Sequence, residues 1–408
     1  MKQAIELFIT RQIASICACL TLSISAFSQQ RTIDFLLENE GFEDIRTIIV
    51  ADTLYASIED RTHRGTFRGA AAAIKTISDN HSGITHFEVV LTDYKMPQLI
   101  VHASKCGDIW DVSVDRQMEN ALKLLKGVTP QAASTGKIDV TVVPMASLVN
   151  NKLDHLFDYT IRIAHAIATT LWRGARLTVQ PIFPILYYTG EYDTKRFIQI
   201  GQANLSQQIL STKRWQLSSA AGFFHEERFG IQAKVGYHAF RNLDIYLDGG
   251  FTGEANYTKN KGFGIVRNSS QLNYMLRADY YEPYSKLQFE LQGGRFLYGD
   301  YGGRFDITRH FGEYAIGVYG VLTGGENHAG FQFAIPLGGK RQKRNAFVRV
   351  RLPEYVSWEY STRSYYKYWQ ERMGQSYITQ PDVNHSAHYW EPAFVEEYTE
   401  RLLNNTFQ

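Results

Sequence analysis

The chain alternates apolar and polar residues along one short stretch after another between about Gln202 and Arg363, with glycine, asparagine or lysine between the stretches. Residues 287–292, which read LQFELQ, show the pattern. A period of two places successive side chains on opposite faces of a β-strand, so each strand has one apolar and one polar face. Because lipid offers no hydrogen-bond partner, a sheet that spans a bilayer must close on itself with its apolar face outward. The pattern therefore predicts a membrane β-barrel.

This alternation yields candidate strands throughout the second part of the chain. They lie at residues 138–146, 160–169, 175–182, 197–210, 215–224, 231–240, 243–252, 262–267, 272–281, 286–296, 304–311, 314–323, 330–337, 346–352 and 356–362. Bacterial barrels have even strand numbers, so we predict about 12 to 16 strands. Aromatic residues make up 13% of the chain, led by 25 Tyr and 24 Phe, which matches the aromatic girdles of such barrels.

The residues before the barrel have a different pattern. Helices are predicted at residues 33–39, 66–78 and 117–126, and strands at 45–50, 54–59, 87–92 and 98–103. This order predicts a small α+β domain with helices on one face of an antiparallel sheet. The fold class is therefore mainly β: an outer-membrane antiparallel barrel preceded by a small α+β periplasmic domain. We divide the chain into a signal peptide (1–28), the small domain (29–127), a linker (128–136), the barrel (137–364) and a tail with a short helix (365–408).

The first 28 residues have the features of a secretory signal. Lys2 and Arg11 precede an apolar stretch at residues 13–24, and small residues surround a cleavage point near Ser28. Cys17 and Cys19 leave lipoprotein processing open as an alternative. After removal of the signal, Cys106 is the one cysteine that remains, so it has no partner for a disulfide within the chain. Together with the strands, this predicts the outer membrane of a Gram-negative cell, with the small domain in the periplasm.

The net charge of +2 gives no electrostatic reason for binding a polyanion, and no basic run is interleaved with aromatic residues. We therefore predict no nucleic-acid partner.

Ten charged residues are predicted to face the lumen from the polar sides of the strands. They are Lys234, Asp244, Asp248, Arg277, Asp279, Glu290, Arg304, Asp306, Arg349 and Arg351. Because the set mixes both signs, it favours a narrow or plugged barrel over an open anion channel. A turn at Glu282–Ser285 would place Arg277 opposite Glu290, where the two would form a cross-strand ion pair.

Arg309 departs from the pattern, because it shares the parity of the apolar residues Phe305, Ile307 and Phe311. Charge on the lipid face is costly at the bilayer centre and mild near its boundary. Arg309 should therefore lie at a boundary, or a bulge should turn it inward.

Enzymatic and metal-binding alternatives depend on few residues. A hydrolase needs a serine, a histidine and an acid near one rim, and the nearest candidates are Ser218, Ser219, His225 and His238. No Gly-x-Ser-x-Gly elbow occurs. His385, His388 and Glu391 are spaced at intervals of three and could ligate a metal on a helix. The polar-tail interpretation is preferred, and we predict no catalytic residue, no metal and no cofactor.

Residues 294–303, which read GRFLYGDYGG, together with Arg309, Phe311 and the stretch 330–337, resemble the barrel of the YjbH family. Residues 40–42 and 52–54 resemble the small α/β domain that precedes the barrel in that family. The family consists of outer-membrane proteins associated with exopolysaccharide production. Its longer members carry two barrels and two small domains, whereas this chain has room for one of each.

The resemblance implies a non-enzymatic role in exopolysaccharide or capsule export, assembly or surface retention. The expected partners are outer-membrane lipid, a polysaccharide and a periplasmic export protein. A general porin or structural anchor is the first alternative, and a lipid-modifying hydrolase is the second.

Overall fold

The computed structural model describes residues 30–150, 157–188, 197–225, 227–258, 262–324, 326–344, 347–363, 373–380 and 390–405. The predicted signal peptide, with Cys17 and Cys19, lies outside these residues. The described chain forms two β-sheets, one of five strands and one of fifteen.

The five-stranded sheet and its helices occupy the first part of the chain. Its elements are α1 (30–40), β1 (Glu43–Val50), β2 (Thr53–Glu59), α2 (Thr66–Asn80), β3 (His86–Asp93), β4 (Met96–Cys106), β5 (Ile109–Asp115) and α3 (Glu119–Leu125). The strand order is β1-β2-β3-β4-β5. The sequence analysis missed β5. The prediction of an antiparallel sheet was also wrong for β2 and β3, which pair in parallel.

The parallel pairing follows from α2, which connects β2 to β3. A helix that crosses over the sheet returns the chain in its starting direction, so the two strands run in parallel. The helix buries Phe67, Ala70, Ala73, Ile74 and Ile77. These small and branched residues recur at helical spacing, so one face of α2 packs on the sheet.

A helix from the far end of the chain completes the core of the small domain. This helix, α4 (Pro392–Leu403), matches the predicted tail helix and buries Phe394, Val395 and Tyr398. The ring of Phe394 lies 5.7 Å from that of Phe67, in an edge-on arrangement. The helix α4 therefore belongs structurally to the small domain.

The large sheet contains a strand for every candidate named above. Its strands are β6 (Ile138–Asn150), β7 (Phe157–Trp172), β8 (Ala175–Tyr188), β9 (Gln199–Ser211), β10 (Trp215–His225), β11 (Arg228–Phe240), β12 (Leu243–Thr258), β13 (Gly262–Ile265), β14 (Gln271–Glu282), β15 (Leu287–Arg295), β16 (Tyr301–Phe311), β17 (Tyr314–Thr323), β18 (Glu326–Pro336), β19 (Val348–Arg351) and β20 (Tyr355–Arg363). Fifteen strands fall within the predicted range. Neighbours pair antiparallel, except that β19 pairs with β6 in parallel.

The hydrogen-bonded path of this sheet begins at β19 and ends at β20, so the described ladder is open. Both terminal strands belong to one short stretch of chain, because only residues 352–354 separate them. This stretch pairs with β6 through its first half and with β18 through its second half. The two ends of the path therefore meet in one segment.

The outward face of the large sheet is apolar. Exposed side chains include Ile231, Leu247, Leu276, Leu291, Ile316, Val318 and Leu322. Ile231 and Leu322 are 61% and 62% exposed, whereas aliphatic side chains are usually buried in the core of a folded protein. An apolar surface that extends across neighbouring strands marks a site of contact with another apolar phase.

Aromatic residues border this apolar band at both ends of the strands. At the end near the small domain, Trp172, Trp215 and Phe311 are exposed, and at the other end Tyr274 and Tyr301 are exposed. On β16, Tyr301 and Phe311 are separated by roughly 33 Å of strand at about 3.3 Å per residue. At a tilt of about 40° this corresponds to a height of about 25 Å, the thickness of the apolar band of outer-membrane barrels.

The register between β14 and β15 differs from the predicted one. Tyr280 faces Phe289 and Asp279 faces Glu290, so Arg277 faces Gln292 and not Glu290. The reason is the turn, which occupies residues 283–286 and not 282–285, because Glu282 still pairs with Leu287. A shift of two residues keeps every side chain on its predicted face but changes every facing partner.

Arg309 lies on the exposed face and forms the last pair of the β15–β16 ladder, with Leu287. Its guanidinium stacks over Phe311, with 5.1 Å between the group and the ring centroid. The ladder has no bulge there. Of the two predicted options, the inward bulge is therefore excluded, and Arg309 lies near the end of its strand.

Within the described ranges, no helix is both long and apolar enough to cross a membrane.

Candidate binding cavity inside the large sheet

A cavity of about 1160 Å³ lies against the polar face of the large sheet. Its lining comes from β6 to β12, from β14 to β16 and from β19 and β20, so both ends of the sheet border the same space. Nine of the ten predicted lumen-facing residues line it, namely Lys234, Asp244, Asp248, Arg277, Asp279, Glu290, Arg304, Asp306 and Arg351. The tenth, Arg349, is buried beside β6, where its Nε donates to Asp139 Oδ1 at 2.8 Å.

Charges of the same sign face each other across the strands of this wall. One row consists of Asp244, Asp279, Glu290 and Asp306, which follow one another across β12, β14, β15 and β16. Like charges directly opposite one another destabilise a sheet unless other groups compensate them. We call this set the acidic row.

The neighbouring row of the same strands carries cations. It consists of Tyr246, Arg277, Gln292 and Arg304, again on β12, β14, β15 and β16. We call it the basic row. Each acidic side chain is therefore diagonal to a basic or amide side chain, and an ion pair between facing residues, as predicted for Arg277 and Glu290, does not form.

Most carboxylates of the acidic row have identified partners. Arg304 donates to both oxygens of Asp306, each at 2.8 Å, and pairs with Glu359 of β20 at 2.9 Å. Gln288 Nε2 donates to Asp279 at 2.9 Å. Charge-assisted bonds of this kind offset the repulsion along the row.

Two cations of the cavity are held differently. Lys234 Nζ and the Arg277 guanidinium lie 4.3 Å and 4.6 Å from the centroid of the Tyr246 ring. Asp248, which faces Lys234 across the ladder, accepts a hydrogen bond from Gln232 at 2.9 Å instead. Cation–π attraction is thus the main short contact that holds these two side chains.

The small domain closes one end of the cavity. Gln98 of β4 donates to Gln208 at 2.7 Å. Tyr94, in the turn between β3 and β4, lies between Arg61 and Arg176, at 3.8 Å and 4.8 Å from the two guanidinium carbons. The backbone carbonyl of Tyr94 also accepts a hydrogen bond from Gly174, in the turn after β7. This turn therefore sits at the mouth of the sheet.

Residues 373–380, which we call the interior segment, cross the cavity. Gly374 N donates to Asp300 at 2.9 Å and Ser376 donates to Gln292 at 3.0 Å, which ties the segment to the β15–β16 side. On the opposite side, Arg176 donates to Thr379 O at 2.7 Å. The Tyr377 ring packs on Phe224 between these points, with 5.0 Å between ring centroids. The segment therefore spans from one wall to the other.

A third group of side chains lies where α4 begins. Asp244 accepts hydrogen bonds from Tyr246 at 3.1 Å and from Arg116 at 3.3 Å, and its other oxygen lies 2.7 Å from His238 Nδ1. Glu391, the residue immediately before α4, lines the same end of the cavity. Burial raises the pKa of Glu391 to about 8, because Arg116 compensates the loss of water only in part.

Sequence reasoning missed Tyr246 and the interior segment. Tyr246 could have been found, because it shares the parity of Asp244 and Asp248 on β12. The interior segment has no alternation, so nothing in its own sequence indicates where it lies.

The residues considered for hydrolase chemistry do not converge. Ser218 faces Lys234, whereas His238 lies four residues farther along β11, about 13 Å away at about 3.3 Å per residue. His225 Nδ1 instead lies 2.7 Å from the Tyr298 hydroxyl. His385 and His388 fall outside the described residues, and no metal-binding group of three or more side chains occurs among the residues that were described.

No family model matches the chain, and no curated protein matches it. One solved structure is similar, a loop L8 deletion mutant of OmpT, described as an outer membrane protein of Vibrio cholerae. The identity is 8%, the match covers 56% of this chain and 94% of that chain, and the TM-score is 0.28. At this TM-score the similarity carries no argument about fold or function.

Proposed function

We propose that the chain is an outer-membrane β-barrel protein that takes part in the export, assembly or surface retention of an exopolysaccharide without catalysing a reaction. The observation that carries the membrane assignment is the polarity of the large sheet. Its exposed face bears aliphatic side chains between two aromatic borders, and its inner face bears charges around a cavity. This is the reverse of a water-soluble protein and is typical of a transmembrane barrel.

Closure of the barrel is part of the proposal. An open edge cannot exist in lipid, because its backbone groups would lack hydrogen-bond partners. The stretch that holds β19 and β20 supports closure, since it pairs with β6 at one end of the path and with β18 at the other.

The turns support a periplasmic position for the small domain. On its side of the sheet five connections are short turns, at residues 173–174, 212–214, 241–242, 283–286 and 312–313, and one connection, 337–347, is longer and contacts the small domain through Lys340 and Gln342. On the opposite side the connections include the longer stretch 189–198 and the stretch 259–270, which contains β13. Outer-membrane barrels have short periplasmic turns and longer extracellular loops. A periplasmic export partner would then meet the small domain.

The exopolysaccharide role rests on the resemblance to the YjbH family and on the polar cavity. The first test is to delete the gene in the native cell, to measure surface polymer and to fractionate the membranes. Lost polymer together with an outer-membrane location supports the proposal. Unchanged polymer from an outer-membrane protein would contradict the polymer role and favour a porin or structural anchor.

Single-channel conductance of the purified protein separates those two alternatives, because a porin conducts ions and an anchor does not.

A further inference from the structure

The most informative feature of the cavity is a pair of cations that lack acidic partners at short distance. In the described part of the chain, neither Lys234 Nζ nor the Arg277 guanidinium makes a hydrogen bond or an ion pair within 4.0 Å. Arg277 Nε is also buried without a hydrogen-bond partner. Both side chains nevertheless line a cavity that also contains Asp248, Glu290 and Asp279.

An ion pair was sterically available, since Asp248 faces Lys234 directly. Instead Asp248 binds Gln232, and Glu290 is contacted by Gln292 at 3.4 Å. The donors Lys234 and Arg277 and the acceptors Asp248 and Glu290 thus lie around Tyr246 without bonding to one another, so each can hydrogen-bond to a ligand. A charged donor without an acceptor costs free energy unless a ligand or water supplies one.

The mixture of signs decides which kind of ligand fits. A carboxylate or phosphate would gain from Lys234 and Arg277 but would be repelled by the neighbouring acidic residues Asp248, Asp279 and Glu290. A hydroxyl group both donates and accepts, so it can bind a cation and a carboxylate at the same time. The Tyr246 ring adds an apolar surface beside these groups.

We propose that Lys234, Tyr246, Asp248, Arg277 and Glu290 form a binding site for a neutral sugar unit of a polysaccharide. The proposal rests on the proposed polysaccharide function and names the position and the chemical class of the sugar. Lys234 and Arg277 donate to sugar oxygens, and Asp248 and Glu290 accept from sugar hydroxyls.

Space at the site depends on two glycines. A Cβ atom at Gly236 would lie 2.9 Å from Cε1 of Tyr246, and one at Gly250 would lie 2.4 Å from the hydroxyl oxygen of Tyr377. Both contacts are too close for a side chain. The interior segment, through Tyr377, therefore borders the site directly.

The test measures binding by isothermal titration calorimetry with the purified full chain in detergent. The neutral probes are maltoheptaose, cellohexaose and chitohexaose, and the acidic probe is a hexamer of galacturonic acid. The double variant Lys234→Gln/Arg277→Gln removes the two charged donors and keeps a polar side chain at both positions. Gel mobility of heated and unheated samples checks folding. The control is Lys213→Gln/Arg214→Gln, which makes the same changes in an exposed turn outside the cavity.

We expect saturable binding of at least one neutral probe, weakened by about tenfold or more in the double variant and by less than about twofold in the control. Absence of binding for all neutral probes would overturn the proposal, as would equal affinity in the double variant. Binding of the acidic probe alone would overturn the neutral assignment.

The assay uses purified protein, so it is independent of polymer output by the cell. If deletion of the gene leaves surface polymer unchanged but the purified protein binds a neutral sugar, the proposed function fails and the site stands. If deletion abolishes surface polymer but no neutral probe binds, the site fails and the proposed function stands.

Discussion

At the scale of single residues, the carboxylate of Glu313 makes one of the buried contacts between the small domain and the large sheet. Glu313, in the turn after β16, accepts from Arg64 Nε and from Arg68 Nη2, both at 2.6 Å. All three side chains are at most 10% exposed. Removal of one partner from a buried ion pair leaves the other charge uncompensated, and this usually costs more than the pair contributes.

The change Glu313→Gln should therefore weaken the junction by about 3 kcal/mol, because two guanidinium groups lose their carboxylate. The urea midpoint, followed by tryptophan fluorescence, measures the effect. Asp108→Asn alters an exposed carboxylate of the small domain and serves as the control. Equal midpoints for the two variants would contradict the structural role of Glu313.

The junction also predicts a response to acid. Burial alone would raise the pKa of Glu313, but hydrogen bonds from Arg64 and Arg68 outweigh it and hold the pKa below the ordinary value. A lowered folded-state pKa stabilises the protein above the unfolded value, about 4.5. The contribution should disappear as the pH falls below that value, and Glu313→Gln should abolish this part of the pH dependence.

Glu391 predicts the opposite response. Its folded-state pKa of about 8 lies above the unfolded value, so its contribution is complete below about pH 4.5 and is lost as the pH rises through 8. Hydrogen exchange of α4 should therefore accelerate between about pH 5 and 8 and level off above pH 8, after correction for intrinsic exchange. Glu391→Gln should make α4 insensitive over this range. An unchanged profile in that variant would exclude Glu391 as the titrating group.

At the scale of elements, α4 protects the edge strand β5. Trp110 N donates to Asn404 Oδ1 at 2.9 Å, and Asn404 Nδ2 donates to Trp110 O at 3.0 Å. Val114 N donates to Glu396 at 2.8 Å. Side chains of a helix therefore satisfy the backbone groups that an edge strand would otherwise expose.

Loss of this protection is testable with Asn404→Ala, which removes both bonds to Trp110. The local cost should be about 1 to 2 kcal/mol, so amide exchange in residues 109–115 should accelerate by about tenfold. Glu400→Ala on the same helix is the control. Similar exchange in both variants would show that the Asn404 bonds do not stabilise the edge.

The outward faces of β14 and β16 predict that the free-energy cost of an introduced arginine depends on its depth in the bilayer. Leu276 is central in its strand and 58% exposed, whereas Phe311 ends its strand and is 53% exposed. In a bilayer, Leu276→Arg should cost about 2 to 4 kcal/mol and Phe311→Arg about 0 to 1 kcal/mol. The folded fraction after refolding into lipid vesicles measures the difference. Equal costs would contradict a transmembrane position of the band.

Much at this scale could be predicted from the sequence. The alternation located every strand of the large sheet, because each side of a strand meets a different environment. The pattern carried no information on facing partners, since a shift of two residues preserves the parity, and the Arg277–Glu290 pair was therefore wrong. The strand β5 was missed, and the parallel pairing of β2 and β3 depends on the position of α2, not on either strand.

At the scale of the whole molecule, the tail after β20 contacts both the large sheet and the small domain. It leaves β20 at the end distant from the small domain, crosses the cavity as the interior segment and docks on the small domain as α4. The lysine Lys286, in the turn after β14, binds Glu397 of α4 at 2.6 Å. In the proposed barrel, this mixed-sign cavity and the segment that crosses it would leave a narrow or plugged lumen, as predicted from the sequence.

Ion conductance tests whether the interior segment restricts the lumen. Replacement of residues 373–380 by glycine and serine, with α4 retained, should increase single-channel conductance several-fold, because Tyr377 and its neighbours no longer bridge the walls. Tyr377→Ala should give a smaller increase, and Tyr284→Ala, in an exposed turn outside the cavity, should give none. Unchanged conductance after replacement of the whole segment would mean that the paired charges of the acidic and basic rows, and not the tail, close the lumen.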